Sequence, residues 1–174
     1  MMVQRAVNRT PVPWKNGLGV QYEIICDGSL PDDWTWRLST ADITQDVPFS
    51  SFPGVTREFC VADGNGVVLN INGVDHRCEP GSVTMFRGDD VVFATLIDGP
   101  MRALNLMVRD GAKSRLLSLS TTDQGVAICS VVVALGSTSN LVVDGDRIAM
   151  QNLDALIFDS PITIQVADGV VATI

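Results

Sequence analysis

A single histidine in 174 residues is the scarcity with the widest consequences. A metal site in a small β-barrel needs two or three imidazoles and a carboxylate converging on one ion. His76, in the run His76-Arg77-Cys78-Glu79, cannot supply that alone, and a lone match of this kind reads as a surface or turn residue. No metal and no other cofactor is therefore expected. Charge is also sparse, at 18% of residues, and acids outnumber bases to leave a net −8. That balance argues against nucleic-acid phosphates and anionic membranes as partners. Long apolar runs are missing: the longest, Val131 to Leu135, is strand-sized and far short of the roughly 18 residues a membrane span needs. The first residues, Met1 to Arg9, hold no apolar stretch of signal-peptide length. The four cysteines (Cys26, Cys60, Cys78, Cys129) lack any C-x-x-C spacing and read as reduced thiols of a cytoplasmic protein. Phosphate loops, Rossmann glycines and a nucleophile elbow are absent too.

What the chain does have is strands and glycine turns. Trp34-Thr35-Trp36-Arg37-Leu38-Ser39 alternates, placing Trp34, Trp36 and Leu38 on one face and Thr35, Arg37 and Ser39 on the other. Leu104 to Val108 and Ile162 to Val166 alternate as well. Between such runs stand Gly64-Asn65-Gly66, Asn72-Gly73, Gly88-Asp89, Asp98-Gly99, Asp110-Gly111, Asp144-Gly145 and Asp168-Gly169. Short strands at this spacing predict an all-β sandwich or barrel with very little helix. The one weakly helical stretch, Ala112 to Leu119, predicts no more than a turn.

An internal repeat sharpens the prediction. Gly73 aligns with Gly145 and Phe86 with Phe158, an offset of 72 in both cases (145 − 73 and 158 − 86). The same offset pairs Leu69 with Leu141 and Ile71 with Val143. Two similar β units packed as one body are therefore expected, in the manner of a jelly-roll pair, with a boundary near residue 110: a first unit over 1–110 and a second over 111–174. The first holds Trp14, Lys15, Glu23, Arg37, Arg57 and Glu58, and the second is mostly aliphatic, so function is placed in the first.

Several of those groups suit a small carboxylate. Pro13-Trp14-Lys15-Asn16-Gly17 gathers an indole, an ammonium and an amide on a turn. As a bare pattern it is equally a tight Asn-Gly hairpin turn with a packed tryptophan. Arg37 faces either solvent or a barrel lumen, where it would make a two-pronged contact with a carboxylate. Arg57 follows the loop Phe49-Ser50-Ser51-Phe52-Pro53-Gly54 and is either a ligand group or the partner of Glu58. Asn105 is a structural hydrogen-bonder or a ligand contact.

These motifs, together with Trp36 to Asp42, Phe86-Arg87-Gly88-Asp89 and Gly99-Pro100 ahead of Leu104-Asn105-Leu106-Met107, occur in the order seen in the HutD/Ves family, which residues 9–111 resemble. The resemblance implies a cupin-like double β-barrel (a bicupin) of bacterial cytoplasmic type, associated with histidine utilisation. It implies no established catalytic residue, and it implies a metal-free pocket for a pathway metabolite such as N-formylglutamate, with a regulatory role. By matching motif the pocket residues are Trp14, Lys15, Asn16, Arg37, Ser39, Arg57 and Asn105. The chain departs from the family pattern at Leu18, at Val20-Gln21-Tyr22 before Glu23, and at Arg109-Asp110, where a basic pair is usual. Two other functions fit the same residues: a metal-free isomerase or hydrolase with Lys15 or Glu23 as acid/base, and a protein-interaction module built on the Trp/Phe-rich loops. The sequence leaves the oligomeric state open.

Overall fold

The computed structural model describes residues 1–28, 33–112 and 120–174. The weakly helical stretch lies, from residue 113 on, outside them. In chain order the strands are β1 (Met2–Gln4), β2 (Pro11–Pro13), β3 (Val20–Cys26), β4 (Trp36–Ile43), β5 (Val47–Pro48), β6 (Val55–Asp63), β7 (Val67–Ile71), β8 (Val74–Cys78), β9 (Val83–Arg87), β10 (Val92–Leu96) and β11 (Met101–Arg109). They continue with β12 (Ser120–Thr122), β13 (Gly125–Val143), β14 (Asp146–Met150) and β15 (Ala155–Thr173). One 3₁₀ turn, Ala6–Asn8, is the helical content of the described residues.

The chain divides into two units, Thr10–Ser118 and Met1–Arg9 with Leu119–Ile174. The division at residue 110 read from the sequence put the first nine residues in the N-terminal unit. Instead β1 pairs with β15, aligning Val3 with Leu156, so those residues complete the C-terminal unit.

In the unit Thr10–Ser118 a six-stranded antiparallel sheet, β2-β3-β4-β11-β6-β9, and a four-stranded sheet, β5-β10-β7-β8, form two layers. Their shared core includes Phe59, Val61, Ala103 and Phe86 from the larger sheet and Leu69, Val67, Val92 and Ala94 from the smaller. Strands β4, β11 and β6 are buried on both faces: Leu38, Leu104, Leu106 and Cys60 on one, Arg37, Ser39, Asn105 and Phe59 on the other. Double burial explains why β11 reads as a nearly unbroken apolar run rather than a strict alternation.

The other unit is one five-stranded sheet with fewer, longer strands. β13 and β15 bend where their register shifts. The middle of β15 thus pairs twice with β13, Ile164 facing both Ala127 and Val143, and Val132 of β13 meets both Leu156 and Thr173. A core of Val132, Leu141, Met150, Leu156, Phe158 and Ile164 fills the space enclosed.

The 72-residue repeat has a structural counterpart. In the hairpin β7–β8, Leu69 pairs with His76 and Ile71 with Val74. In the end of β13 with β14, Leu141 pairs with Ile148 and Val143 with Asp146, each residue 72 further on. Both turns use two consecutive left-handed residues, Asn72-Gly73 and Asp144-Gly145. That is the backbone a two-residue hairpin turn of matching twist demands. His76 sits exposed on β8, a surface residue.

Candidate functional site

The larger sheet of the unit Thr10–Ser118 carries a cavity of about 310 Å³ on its inner face. Antiparallel register builds its floor in rows. In the first, Arg37 of β4 and Arg57 of β6 flank Met107 of β11. In the next, Ser39 and Phe59 flank Asn105. Ala41 follows on β4, then Ile43. Side chains two residues apart share a face, so the strands grade from cationic at one end to aliphatic at the other. One alternation in each of three strands places the whole floor.

Two loops supply the walls. Trp14, Lys15 and their neighbours form a closed turn between β2 and β3, held by Trp14 N–H to the Gly19 carbonyl and Gly17 N–H to the Trp14 carbonyl, both 2.9 Å. The indole lies flat on Gly19: a Cβ there would stand 2.9 Å from its ring. Phe49, Ser50 and Phe52 supply the second, the Phe49 ring meeting the Trp14 indole edge-to-face at 6.3 Å. The Phe52 N–H is fixed at 2.6 Å by the Gly88 carbonyl, and Gly88 approaches so closely that any side chain there would collide with the Phe52 carbonyl.

Electrostatically the site is unbalanced. Arg37 and Arg57 are 6% and 8% exposed, and no carboxylate of the described residues lies within ion-pair reach of either. Arg37 Nη2 donates to the Met107 sulfur at 3.4 Å and Arg57 Nη2 to Asn105 Oδ1 at 3.1 Å. Both Nε atoms are buried without a hydrogen-bond partner, and so is Ser50 Oγ. Burial, reinforced by the charge of Arg37, pushes the Arg57 guanidinium down to about 9. Burial lowers Arg37 too, though the nearby Glu23 charge opposes the shift. Aromatic faces stand where acids would be expected. Arg57 lies 5.0 Å from the ring centres of both Phe49 and Phe86, and Arg37 5.0 Å from that of Trp34. Orphaned donors of this kind are costly unless something binds them.

Of the residues singled out from the sequence, Trp14, Lys15, Arg37, Ser39, Arg57 and Asn105 line this one cavity. Asn16 does not. Its Nδ2 donates to the Pro48 carbonyl at 3.1 Å and its Oδ1 accepts from Leu18 N–H, so it closes the turn and ties it to β5. Lys15 is exposed at the mouth. Glu23 stands opposite Ser39 on β3, outside the lining; Oε1 accepts from the Cys26 thiol at 3.3 Å and Oε2 is buried without a donor. Two of the departures from the family pattern fall away from the cavity, while Gln21 of the third lines it. Leu18 is 46% exposed, and Asp110 forms a two-pronged ion pair with Arg87 at 2.5 and 2.9 Å. Sequence reasoning missed Gln21 and Met107 as lining residues, while the aromatic loop ahead of Arg57 supplies Phe49, Ser50 and Phe52. Met107 and Gln21 were within reach of the alternation through Asn105 and Ala41. Trp34 was assigned to the face of Leu38, but it precedes β4 and turns beneath Arg37.

A divalent cation does not fit this donor set. The polar end holds two guanidiniums, an amide and hydroxyls, and among the described residues no three His, Cys, Asp or Glu side chains converge.

Comparison with known proteins agrees with the architecture. The chain is 38% identical to the Ves protein of Citrobacter koseri over 114 residues, 63% of this chain and 60% of that one. It is 32% identical over 146 residues to a Pseudomonas putida protein from the hutC 3′ region, covering 82% and 77%. Among solved structures, HutD from Pseudomonas fluorescens SBW25 superposes with a TM-score of 0.76 at 30% identity, over 98% of this chain and 95% of that one. A cupin 2 barrel protein from Leptotrichia buccalis matches at 0.57 and 9% identity, over 98% and 99%, a likeness of fold alone. The fold is all-β and cupin-like, and the HutD family model spans residues 6–172: the chain belongs to the HutD family.

Proposed function

We propose that this protein is a non-catalytic binding protein for a small carboxylate metabolite, held in the cavity of the unit Thr10–Ser118. One observation carries the reading: two buried guanidiniums flanking Met107, each with an unpartnered Nε and neither paired with an acid among the described residues. A ligand carboxylate supplies the missing negative charge through charge-assisted hydrogen bonds. Asn105 and Ser39 orient it, and Lys15 at the mouth attracts a second carboxylate. Val12, Ala41, Ile43 and Phe49 cover the ligand's carbon chain. The relative from the hutC region supports a histidine-degradation metabolite such as N-formylglutamate, and with it a cytoplasmic role in regulating histidine utilisation. On this reading the chain is a bicupin in which one half binds and the other, lacking such a cluster, is structural.

The test is a thermal-shift series with histidine, urocanate, N-formylglutamate, formiminoglutamate and glutamate. A ligand at about 100 times its dissociation constant stabilises by roughly 2.7 kcal/mol, on the order of 5–10 °C for a domain of this size. The expected result is such a shift with one acid, lost in Arg37→Ala. No shift with any of them overturns the assignment.

Glu23 favours a second reading, a metal-free isomerase or hydrolase, because its unpartnered buried oxygen is the kind of group that acts as a base. Turnover of any of these compounds, abolished by Glu23→Gln, would establish it. An interaction module draws less support, since Trp14, Phe49 and Phe52 turn into the cavity instead of outward.

A further inference from the structure

We infer that Phe52 is the positioning residue of the cavity: its ring takes the place of a counter-ion for the cations that receive the ligand, keeping them apart, charged and unpaired. The inference rests on the carboxylate reading above. The Phe52 ring centre lies 5.4 Å from the Arg37 guanidinium, 5.9 Å from that of Arg57 and 5.8 Å from Lys15 Nζ. All three cations of the cavity therefore meet one ring. The contacts extend into an alternating series, Arg109–Trp34–Arg37–Phe52–Arg57–Phe86, with separations of 4.4 to 5.9 Å.

A ring in this position does what a carboxylate would not. The negative face of an aromatic ring attracts a cation without hydrogen-bonding its N–H groups. Both Nε donors thus remain unspent, which is what they are. An internal Asp or Glu at the same point would have to be displaced by the ligand. The ring is held by its backbone, through Gly88 and without help from the cations, so its placement survives exchange of ligand. The other charged or titratable groups around the pair are Glu23 and Cys26 on β3 and Arg109 on β11, with Lys15 on the turn.

The experiment compares wild type with Phe52→Leu and Phe52→Tyr in two measurements. The first is calorimetric binding of N-formyl-L-glutamate and of formate between pH 7 and 10. The second is an NMR pH titration of the arginine Nε–H groups in ligand-free protein. Phe52→Leu should weaken binding roughly tenfold, move the alkaline fall in affinity to lower pH, and lower the Arg57 midpoint in the free protein; Phe52→Tyr should restore all three. If Phe52 only packs its loop, Phe52→Leu lowers the melting temperature and the affinity but leaves the guanidinium titration and the pH limb in place, and the inference is overturned. Should wild type bind neither probe, the carboxylate reading fails, while the NMR arm still decides whether Phe52 tunes the arginines.

Discussion

Both units bury charge, and Asp154 in one is treated in the opposite way from the arginine pair in the other. In the unit containing both chain ends, Asp154 is 2% exposed and fully engaged. It accepts from Arg5 Nη1 at 2.6 Å, from Ala6 N–H at 2.9 Å and from Gln151 N–H at 3.0 Å. In the unit Thr10–Ser118, Arg37 and Arg57 are buried nearly as deeply with donors left over and, among the described residues, no acid paired to them. A buried charge with every bond made is a structural knot: here it ties the N-terminal segment and its strand β1 to the turn before β15. A buried charge with bonds unmade costs stability, a cost that a bound carboxylate would offset on the function proposed above.

The largest effect that tests this contrast is Asp154→Ala. Removing the acid leaves Arg5 and two backbone N–H groups without their acceptor, and we expect a loss of about 3 kcal/mol in urea melts. The pH dependence has a definite sign. Burial alone would raise the Asp154 carboxyl, but the hydrogen bonds from Ala6, Arg5 and Gln151 outweigh it and hold it below the usual range. Its stabilisation is therefore complete above the unfolded value of about 3.9 and disappears as the pH falls through the lower folded value. Wild type should lose its advantage over Asp154→Ala only in that acid window. A constant difference down to pH 2 would mean that Asp154 acts through packing alone.

Arg57→Met should do the reverse. Exchanging an unpaired buried guanidinium for an apolar chain of similar length is expected to stabilise the protein by about 1 kcal/mol while abolishing carboxylate binding. Here too pH supplies the sign. Because burial lowers Arg57 to about 9, the unfolded chain holds a proton that the native state has released at pH values between there and the usual arginine range. Wild type should thus gain on Arg57→Met as the pH rises through about 9 and beyond, while ligand affinity falls over the same interval. If Arg57→Met proves as damaging as Asp154→Ala, the two buried charges are alike, and the contrast between knot and site collapses.

How much of this was legible beforehand depends on where the determining interactions lie. The all-β class, the hairpin repeat and the face shared by Arg37 and Ser39 follow from period-two alternation and left-handed glycine turns, which are local. Double burial of β11 left Asn105 as the visible polar interruption, which is why the sequence offers it as either a structural hydrogen-bonder or a ligand contact. The bending of β13 and β15, by contrast, is set by where each strand finds its second partner; Gly136, Pro161 and Gly169 stand at the register shifts, but they read equally as turns between separate strands. Phe52 resembles any rim aromatic until its loop is known to be pinned by Gly88. Asn16 failed for the opposite reason: an amide beside a candidate lysine invites a ligand role, but an Asn in a turn most often satisfies the backbone around it.

Asn16 also gives the smallest effect, and the one that draws the boundary of the site most finely. Asn16→Ala removes a bond to Pro48 and one to Leu18, both on the exposed side of the turn, so the expected cost is about 1 kcal/mol. Trp14 stays in place through its own backbone bonds to Gly19 and Gly17, which do not involve the amide. Carboxylate affinity should then stay within about twofold of wild type, since no bond of comparable worth is lost in the complex. A tenfold loss of affinity in Asn16→Ala, with stability unchanged, would place the amide on the ligand and extend the set of unpaired donors from the cavity floor to its mouth.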